Sequence, residues 1–98
     1  MTVDRGLLAF LEAKPGQGEQ LAGFLVRGRA LAVAEAGTVS WYAFKLSETA
    51  YGIFDSFNDE DARQAHINGQ IPIALGHVAA DLLASEPTIR PTDIIAVK

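Results

Sequence analysis

Histidines are the first candidates for chemistry in this chain, because the ordinary pKa of histidine lies close to neutral pH. The chain has two, His66 and His77. His66 follows Ala65 near the end of a short predicted helix, where it could act as a general base toward a weak acid such as a phenol. The alternative is a structural role in which His66 ends its helix and hydrogen-bonds a backbone carbonyl. The residue type leaves both interpretations open.

Three aromatic residues could supply flat surfaces for a flat ligand: Trp41, Tyr51 and Phe57. Each lies in a segment rich in β-branched and aromatic residues, so each could equally belong to the hydrophobic core. Residue type alone does not separate a ligand-binding aromatic side chain from a packed one.

His77 and Asp81 stand four residues apart on a predicted helix, so their side chains share one face. They could form an oriented base, two metal ligands or a surface ion pair. A metal site also needs a third ligand, and His66 and Asp55 are the only evident candidates. Nothing in their spacing requires a metal, and we predict none.

Two further patterns have simpler explanations than a ligand site. The acidic run at 59–61 could bind a cation, but it also suits the positive end of a helix that starts there. The segment Gly16-Gln17-Gly18 precedes a helix, yet it lacks the third glycine and the Lys-Ser/Thr pair of a phosphate-binding loop.

Length and composition limit the class of protein. The chain has 98 residues, which predicts one domain over 1–98, and 49% of them are hydrophobic, which excludes a disordered chain. It has no cysteine, and its net charge of −4 argues against binding a phosphate backbone and so against a nucleic-acid partner. No apolar run approaches the roughly 20 residues that span a bilayer, so we expect no membrane association. The first five residues lack a signal-peptide pattern, and we expect a cytoplasmic protein.

The elements that must position these side chains follow from apolar periodicity and from turn residues. The prediction, in chain order, is a strand at 6–13, a helix at 19–36, strands at 38–46 and 50–57, a helix capped by Asn58, a helical segment at 71–84 and a closing strand in 89–98, with its core at 94–97. Gly37 is predicted to be the C′ cap of the first helix, and close packing is the expected reason for Gly23 and Gly28 inside it. This order, β-α-β-β-α-β, predicts a ferredoxin-like α+β fold with an antiparallel sheet and helices on one face.

The first two predicted strands are apolar on both faces. Leu7, Ala9 and Leu11 alternate with Leu8 and Phe10 in the first strand. One sheet face has no helices in this fold, and an apolar face of that size exceeds what soluble monomers usually expose. We therefore predict a homodimer in which two sheets pack face to face.

Several local motifs occur in an order that resembles one family. They are EAKPG at 12–16, EAG at 35–37, SWY at 40–42, FDSFNDEDA at 54–62 and the Ala-His pair at 65–66. Their order and spacing over nearly the whole chain resemble the antibiotic biosynthesis monooxygenase family of the dimeric α/β-barrel superfamily. No single motif is specific, and the resemblance rests on their order. The family's usual Tyr, Glu and Trp are matched here by Trp41, Asp55 and Phe57.

The resemblance implies a ferredoxin-like fold paired as a dimeric barrel, with a pocket between sheet and helices. It also implies an oxidation of a small aromatic or quinol-like compound by O₂ without a metal or flavin cofactor. We predict His66 as the base, and Trp41, Tyr51, Phe57 and His77 as substrate-binding residues.

Three alternatives to that activity remain. The haem-degrading branch of the family is disfavoured, because Ala9 and His66 stand where that branch has Asn and Trp. A second possibility is a non-catalytic barrel that binds a small molecule, in the manner of stress-responsive relatives. A third is a structural protein whose pocket is filled by its own side chains.

Overall fold

A computed structural model describes residues 3–98 of the chain. Met1 and Thr2, part of the segment considered for a signal peptide, lie outside the described residues. The elements are β1 (Arg5–Glu12), α1 (Gly18–Val33), β2 (Thr38–Lys45), β3 (Ala50–Phe57), α2 (Glu60–Ile67), α3 (Gln70–Leu82) and β4 (Thr88–Asp93). The four strands form one antiparallel sheet in the order β2-β3-β1-β4. The predicted β-α-β-β-α-β order is confirmed, with the second helical region divided into α2 and α3.

One face of the sheet carries the core. Leu11 on β1 and Tyr51 on β3 pair across the sheet, and both are buried in a cluster with Leu21 and Leu25 of α1. Gly28 of α1 lies against the indole of Trp41, where an added Cβ would be 3.7 Å from the ring. At that distance a Cβ would make only ordinary van der Waals contact, so the predicted close packing does not require glycine at this position.

Gly23 does not follow that prediction either. An added Cβ there would meet only the side chain of Arg27, one turn further along the same helix. Packing against another element does not explain this glycine.

The end of α1 differs from the prediction. The helix ends at Val33 and its C-cap is Ala34, so Gly37 is not its C′ residue. After the cap the chain turns through local hydrogen bonds: Glu35 N–H donates to Ala32 O, Thr38 N–H donates to Glu35 O, and Oε1 of Glu35 accepts from Thr38 Oγ1 at 2.8 Å. Gly37 instead allows close approach to α2, since an added Cβ would lie 2.8 Å from the Cβ of Ala62.

The second helical region also begins one residue later than expected. Asp59, not Asn58, is the N-cap of α2, and its side chain accepts a hydrogen bond from the backbone N–H of Ala62 at 2.8 Å. Pro72 lies in the first turn of α3, where a helix has no use for the N–H that proline lacks.

The closing strand was placed too far toward the C-terminus. β4 covers Thr88–Asp93, and residues 94–98 are not in a strand. The reason is the length of β1, whose first residue, Arg5, pairs with Asp93. One more hydrogen bond joins Ile94 N–H to Asp4 O, and the following Ile95 is 97% exposed.

The other face of the sheet is apolar and carries no helix. Its alternate positions include Leu8, Phe10, Tyr42, Phe44 and Phe54; Phe10 is 39% exposed and Tyr42 63% exposed. We call these five residues the open sheet face.

Across the described part of the chain, none of the helices combines the length and the apolar character that a membrane crossing requires.

Candidate functional site

A buried histidine between two carboxylates is the most unusual polar feature of the described structure. His66 lies on the buried side of α2 and contacts β3 and the connection between α1 and β2. Its Nε2 is 2.9 Å from Oδ2 of Asp55, and its Nδ1 is 2.6 Å from Oε1 of Glu35. Asp55 is available because its position in β3 directs it to the helix-covered face, beside Phe57 and Ile53.

The charge of this network follows from its surroundings. Burial alone lowers the pKa of His66, but hydrogen bonds to Asp55 and Glu35 and their negative charges outweigh it and raise that pKa to about 9. At neutral pH the ring is therefore protonated, and each nitrogen donates to one carboxylate. The ring of Phe57, whose centroid is 5.3 Å from that of His66, covers it on another side.

Asp55 is only partly satisfied by this arrangement. Its Oδ2 accepts from His66, but its Oδ1 is buried and has no hydrogen-bond partner among the described residues. The residue is 1% exposed. Buried carboxylate oxygens are normally hydrogen-bonded, because an unpaired one loses its hydration without compensation.

An apolar cavity of about 230 Å³ lies between the sheet and the second helical region. Asp55 and His66 are the two ionisable residues in its wall. The rest of the wall is aliphatic or proline: Leu7, Ala9, Leu11, Ile53 and Ile89 from the sheet, Ile67, Ile71, Pro72 and Leu75 from the helical region, and Pro87 from the loop before β4. The cavity can hold a small apolar molecule and presents one polar corner to it.

Of the sequence-predicted site residues, the structure places only His66 in the wall of this cavity. Trp41, on the edge strand β2, packs against α1, and Tyr51 and Phe57 are buried in the core. His77 is exposed on α3, and within the described chain no ion pair joins it to Asp81.

Two residues of the site were not predicted in these roles. The sequence analysis gives Asp55 as a possible metal ligand and as the match to the family's Glu, although an ionisable residue at an inward position of the apolar strand AYGIFDSF is a usable signal. Glu35 gave no signal, because its contact with His66 joins residues 31 apart in the chain.

Among residues 3–98, no group of three or more His, Cys, Asp or Glu side chains could hold a metal ion. In the acidic run at 59–61, Asp59 caps α2 and Glu60 pairs with Arg63, which accounts for two of its three carboxylates.

Comparison with known proteins adds the following. No family model matches the chain, and no curated protein matches it. A proposed antibiotic biosynthesis monooxygenase from Chloroflexus aurantiacus has 20% identity and a TM-score of 0.76, covering 97% of this chain and 96% of that one. Another from Caulobacter crescentus has 18% identity and a TM-score of 0.81, with 96% and 92% covered. At such identities these two likenesses show the fold alone.

A third solved structure is much more similar. It is NE2512, a protein of unknown function from Nitrosomonas europaea, with 48% identity and a TM-score of 0.96 over 98% of this chain and 93% of that one. The chain belongs to the same family as NE2512.

Proposed function

We propose that this chain is a cofactor-independent monooxygenase of the antibiotic biosynthesis monooxygenase type, one domain over 1–98, which oxidises a small aromatic or quinol-like compound with O₂. The observation that carries the proposal is the aliphatic cavity with a buried Asp55–His66 pair as its polar corner. The fold shared with proposed monooxygenases supports it.

The reaction balances without a cofactor. A hydroquinone and O₂ give a hydroxyquinone and water: one oxygen atom forms the new C–O bond, and the other leaves as water with two hydrogens from the substrate. All four electrons come from the substrate. The protein must therefore take a proton from the substrate hydroxyl, stabilise the resulting anion and keep water away.

The cavity suits those three tasks. Its Asp55 carboxylate can accept a proton, and the adjacent His66 cation stabilises negative charge nearby. The aliphatic wall excludes water from the oxygenated intermediate. In this scheme His66 acts through Asp55, because both of its ring nitrogens already bind carboxylates.

The size of the cavity limits the substrate. A dry cavity of about 150 Å³ is enough to bind benzene. The volume of about 230 Å³ therefore suits a compound of one or two fused rings.

The proposal includes a homodimer formed through the open sheet face. That face presents Leu8, Phe10, Tyr42, Phe44 and Phe54 with no covering helix. Sedimentation of the wild type should give twice the mass of one chain, and Tyr42→Lys should shift it toward the monomer; a monomeric wild type would contradict this part. The location we propose is the cytoplasm, which the cysteine-free composition favours.

The activity is tested by oxygen uptake. Metal-free protein is mixed with 1,4-dihydroxynaphthalene, and O₂ consumption is compared with the rate without protein. We expect uptake above that rate, its loss in Asp55→Asn and His66→Gln, and its retention in His77→Gln, whose exposed histidine lies outside the cavity. Uptake that survives Asp55→Asn would contradict the assigned site.

One observation favours a second candidate, a barrel that binds a small molecule without turning it over. Both nitrogens of His66 are engaged by carboxylates, so the ring offers no free base to a ligand. In that case 1,4-dihydroxynaphthalene would raise the melting temperature while consuming no oxygen.

A further inference from the structure

Asp55, which forms part of the cavity wall, has a buried acceptor that the described chain leaves unpaired. Oδ1 of Asp55 has no hydrogen-bond partner, while Oδ2 of the same carboxylate is held by His66. Asp55 is both buried and part of the cavity wall. An unpaired buried oxygen lowers the stability of the folded protein. The question is therefore which donor pairs with Oδ1.

The cavity wall supplies no further side-chain donor. Apart from Asp55 and His66, every residue in it is aliphatic or proline, and the N–H groups of His66 both go to carboxylates. The cross-strand neighbour Trp41 is the other nearby donor, since its Nε1–H is buried without an acceptor. Trp41 does not line the cavity, and no hydrogen bond joins it to Asp55.

We infer that the cavity binds a compact, otherwise apolar molecule of one or two fused rings that donates a single O–H or N–H hydrogen bond to Oδ1 of Asp55, with His66 as the positioning residue that holds this carboxylate. The inference rests on the proposed function only in treating that donor as the reacting hydroxyl. Binding itself requires no turnover.

Selectivity follows from the chemistry of the acceptor. A hydroxyl placed at Oδ1 donates to a carboxyl oxygen that has no other donor, which is a strong hydrogen bond in an apolar site. A methyl ether of the same ring places an acceptor or a methyl group there and leaves Oδ1 unpaired. Sites built around a buried polar group discriminate strongly against analogues that lack its partner.

The test compares 2-naphthol with 2-methoxynaphthalene under anaerobic conditions, so that oxidation cannot contribute. Affinities are measured by calorimetry on the wild-type protein. We expect 2-naphthol to bind more tightly by about tenfold or more, the range for a hydrogen bond to a charged group. Equal affinities would overturn the inference, because they would mean that Oδ1 meets no ligand donor, for example when a water joins it to Trp41.

The variant Asp55→Asn assigns the preference to the carboxylate. Its amide oxygen can accept from His66, which leaves the NH₂ group to face a ligand, so the preference for 2-naphthol should disappear or reverse. Asp81→Asn, at an exposed position on α3, is the matched control and should keep the wild-type preference. Retention of the preference by a folded Asp55→Asn protein would overturn the inference; if that variant does not fold, the wild-type comparison still decides.

The positioning role of His66 has its own readout. His66→Gln should reduce the affinity for 2-naphthol and leave that for 2-methoxynaphthalene within about twofold. An equal loss for both ligands would mean that His66 only shapes the cavity. If the protein preferred 2-naphthol to 2-methoxynaphthalene but consumed no oxygen with 1,4-dihydroxynaphthalene, the proposed activity would be contradicted and this binding site would stand. The two failures are therefore distinguishable.

Discussion

Two buried cationic residues lie three positions apart on α2, and their surroundings differ in one respect. Arg63 donates hydrogen bonds to the backbone carbonyls of Gly6 and Thr92, at 3.1 and 3.0 Å, and to the carboxylate of Glu60. His66 donates to Asp55 and Glu35.

Each cation has an unpaired buried oxygen nearby, Oγ1 of Thr92 beside Arg63 and Oδ1 of Asp55 beside His66, so the difference lies in where each network stands relative to the cavity. The Arg63 network joins α2 to β1 and β4, and it lies outside the wall of the apolar cavity. The His66 network includes Asp55, which forms part of the wall of the apolar cavity and whose buried Oδ1 has no partner among the described residues. We interpret Arg63 as a structural residue that holds α2 against the sheet. We interpret His66, on the same helix, as part of a ligand-binding site.

Arg63→Met should have the largest effect on stability. It keeps an apolar stem but removes all the donors to Gly6, Thr92 and Glu60, so we expect a loss of about 2–4 kcal/mol in the free energy of unfolding. Urea denaturation measures it. Arg27→Met, at an exposed position on α1, is the control and should change stability by less than about 0.5 kcal/mol. If Arg63→Met lost as little stability as Arg27→Met, Arg63 would not be the structural residue that this comparison with His66 requires.

The His66 network should make stability depend on pH on the alkaline side. Because the folded pKa of His66 is about 9 and the unfolded value is 6.5, its contribution is complete below about pH 6.5 and is lost as pH rises through 9. The total is on the order of 3 kcal/mol. Denaturation of the wild type across this range should show the decline, His66→Gln should lack it, and His77→Gln should keep it. A decline of equal size in His66→Gln would place its origin elsewhere.

A larger side chain in the cavity wall should weaken ligand binding with little effect on the free energy of unfolding. Ala9→Leu adds three carbon atoms at the cavity wall, so it should weaken 2-naphthol binding by about tenfold or more while changing stability by no more than about 1 kcal/mol. Calorimetry and urea denaturation measure the two effects. If affinity stayed unchanged, the ligand would not occupy this cavity.

Glu60→Gln should have the smallest effect, and that effect should depend on pH. Hydrogen bonds from Arg63 and Gln64 lower the pKa of Glu60 to about 2, so its contribution is present above about pH 4.5 and is lost as pH falls through 2. Glu60→Gln should lower the melting temperature slightly at neutral pH and not at pH 2. An equal decrease at both pH values would show that the charge of Glu60 is not what stabilises the Arg63 network.

The fold was predictable because its signals are local. The short continuous apolar run of β1 and the three- and four-residue spacing in α1 identify their elements without knowledge of the rest. The errors arose where a tertiary contact decides. Glu35, predicted to lie in the first helix, is outside α1 and binds His66, and residues 94–97 have strand-like composition but no strand beside them.

The candidate site was predictable only in part. His66 was identified from its residue type, but its protonation depends on Asp55 and Glu35, which come from distant parts of the chain. The aromatic residues Trp41 and Phe57 were chosen as flat surfaces, whereas the cavity has an aliphatic wall. Which inward-facing residues surround a cavity depends on how α2 and α3 lie across the sheet, and sequence periodicity does not specify that.

The most direct test of the proposed activity uses isotopically labelled O₂. Metal-free wild-type protein is incubated with 1,4-dihydroxynaphthalene under labelled O₂, and the product is examined by mass spectrometry beside Asp55→Asn. The account predicts a hydroxyquinone with one labelled oxygen atom per molecule from the wild type, and none above the protein-free level from the variant. A product without labelled oxygen, or equal labelling from both proteins, would contradict a monooxygenase acting at Asp55.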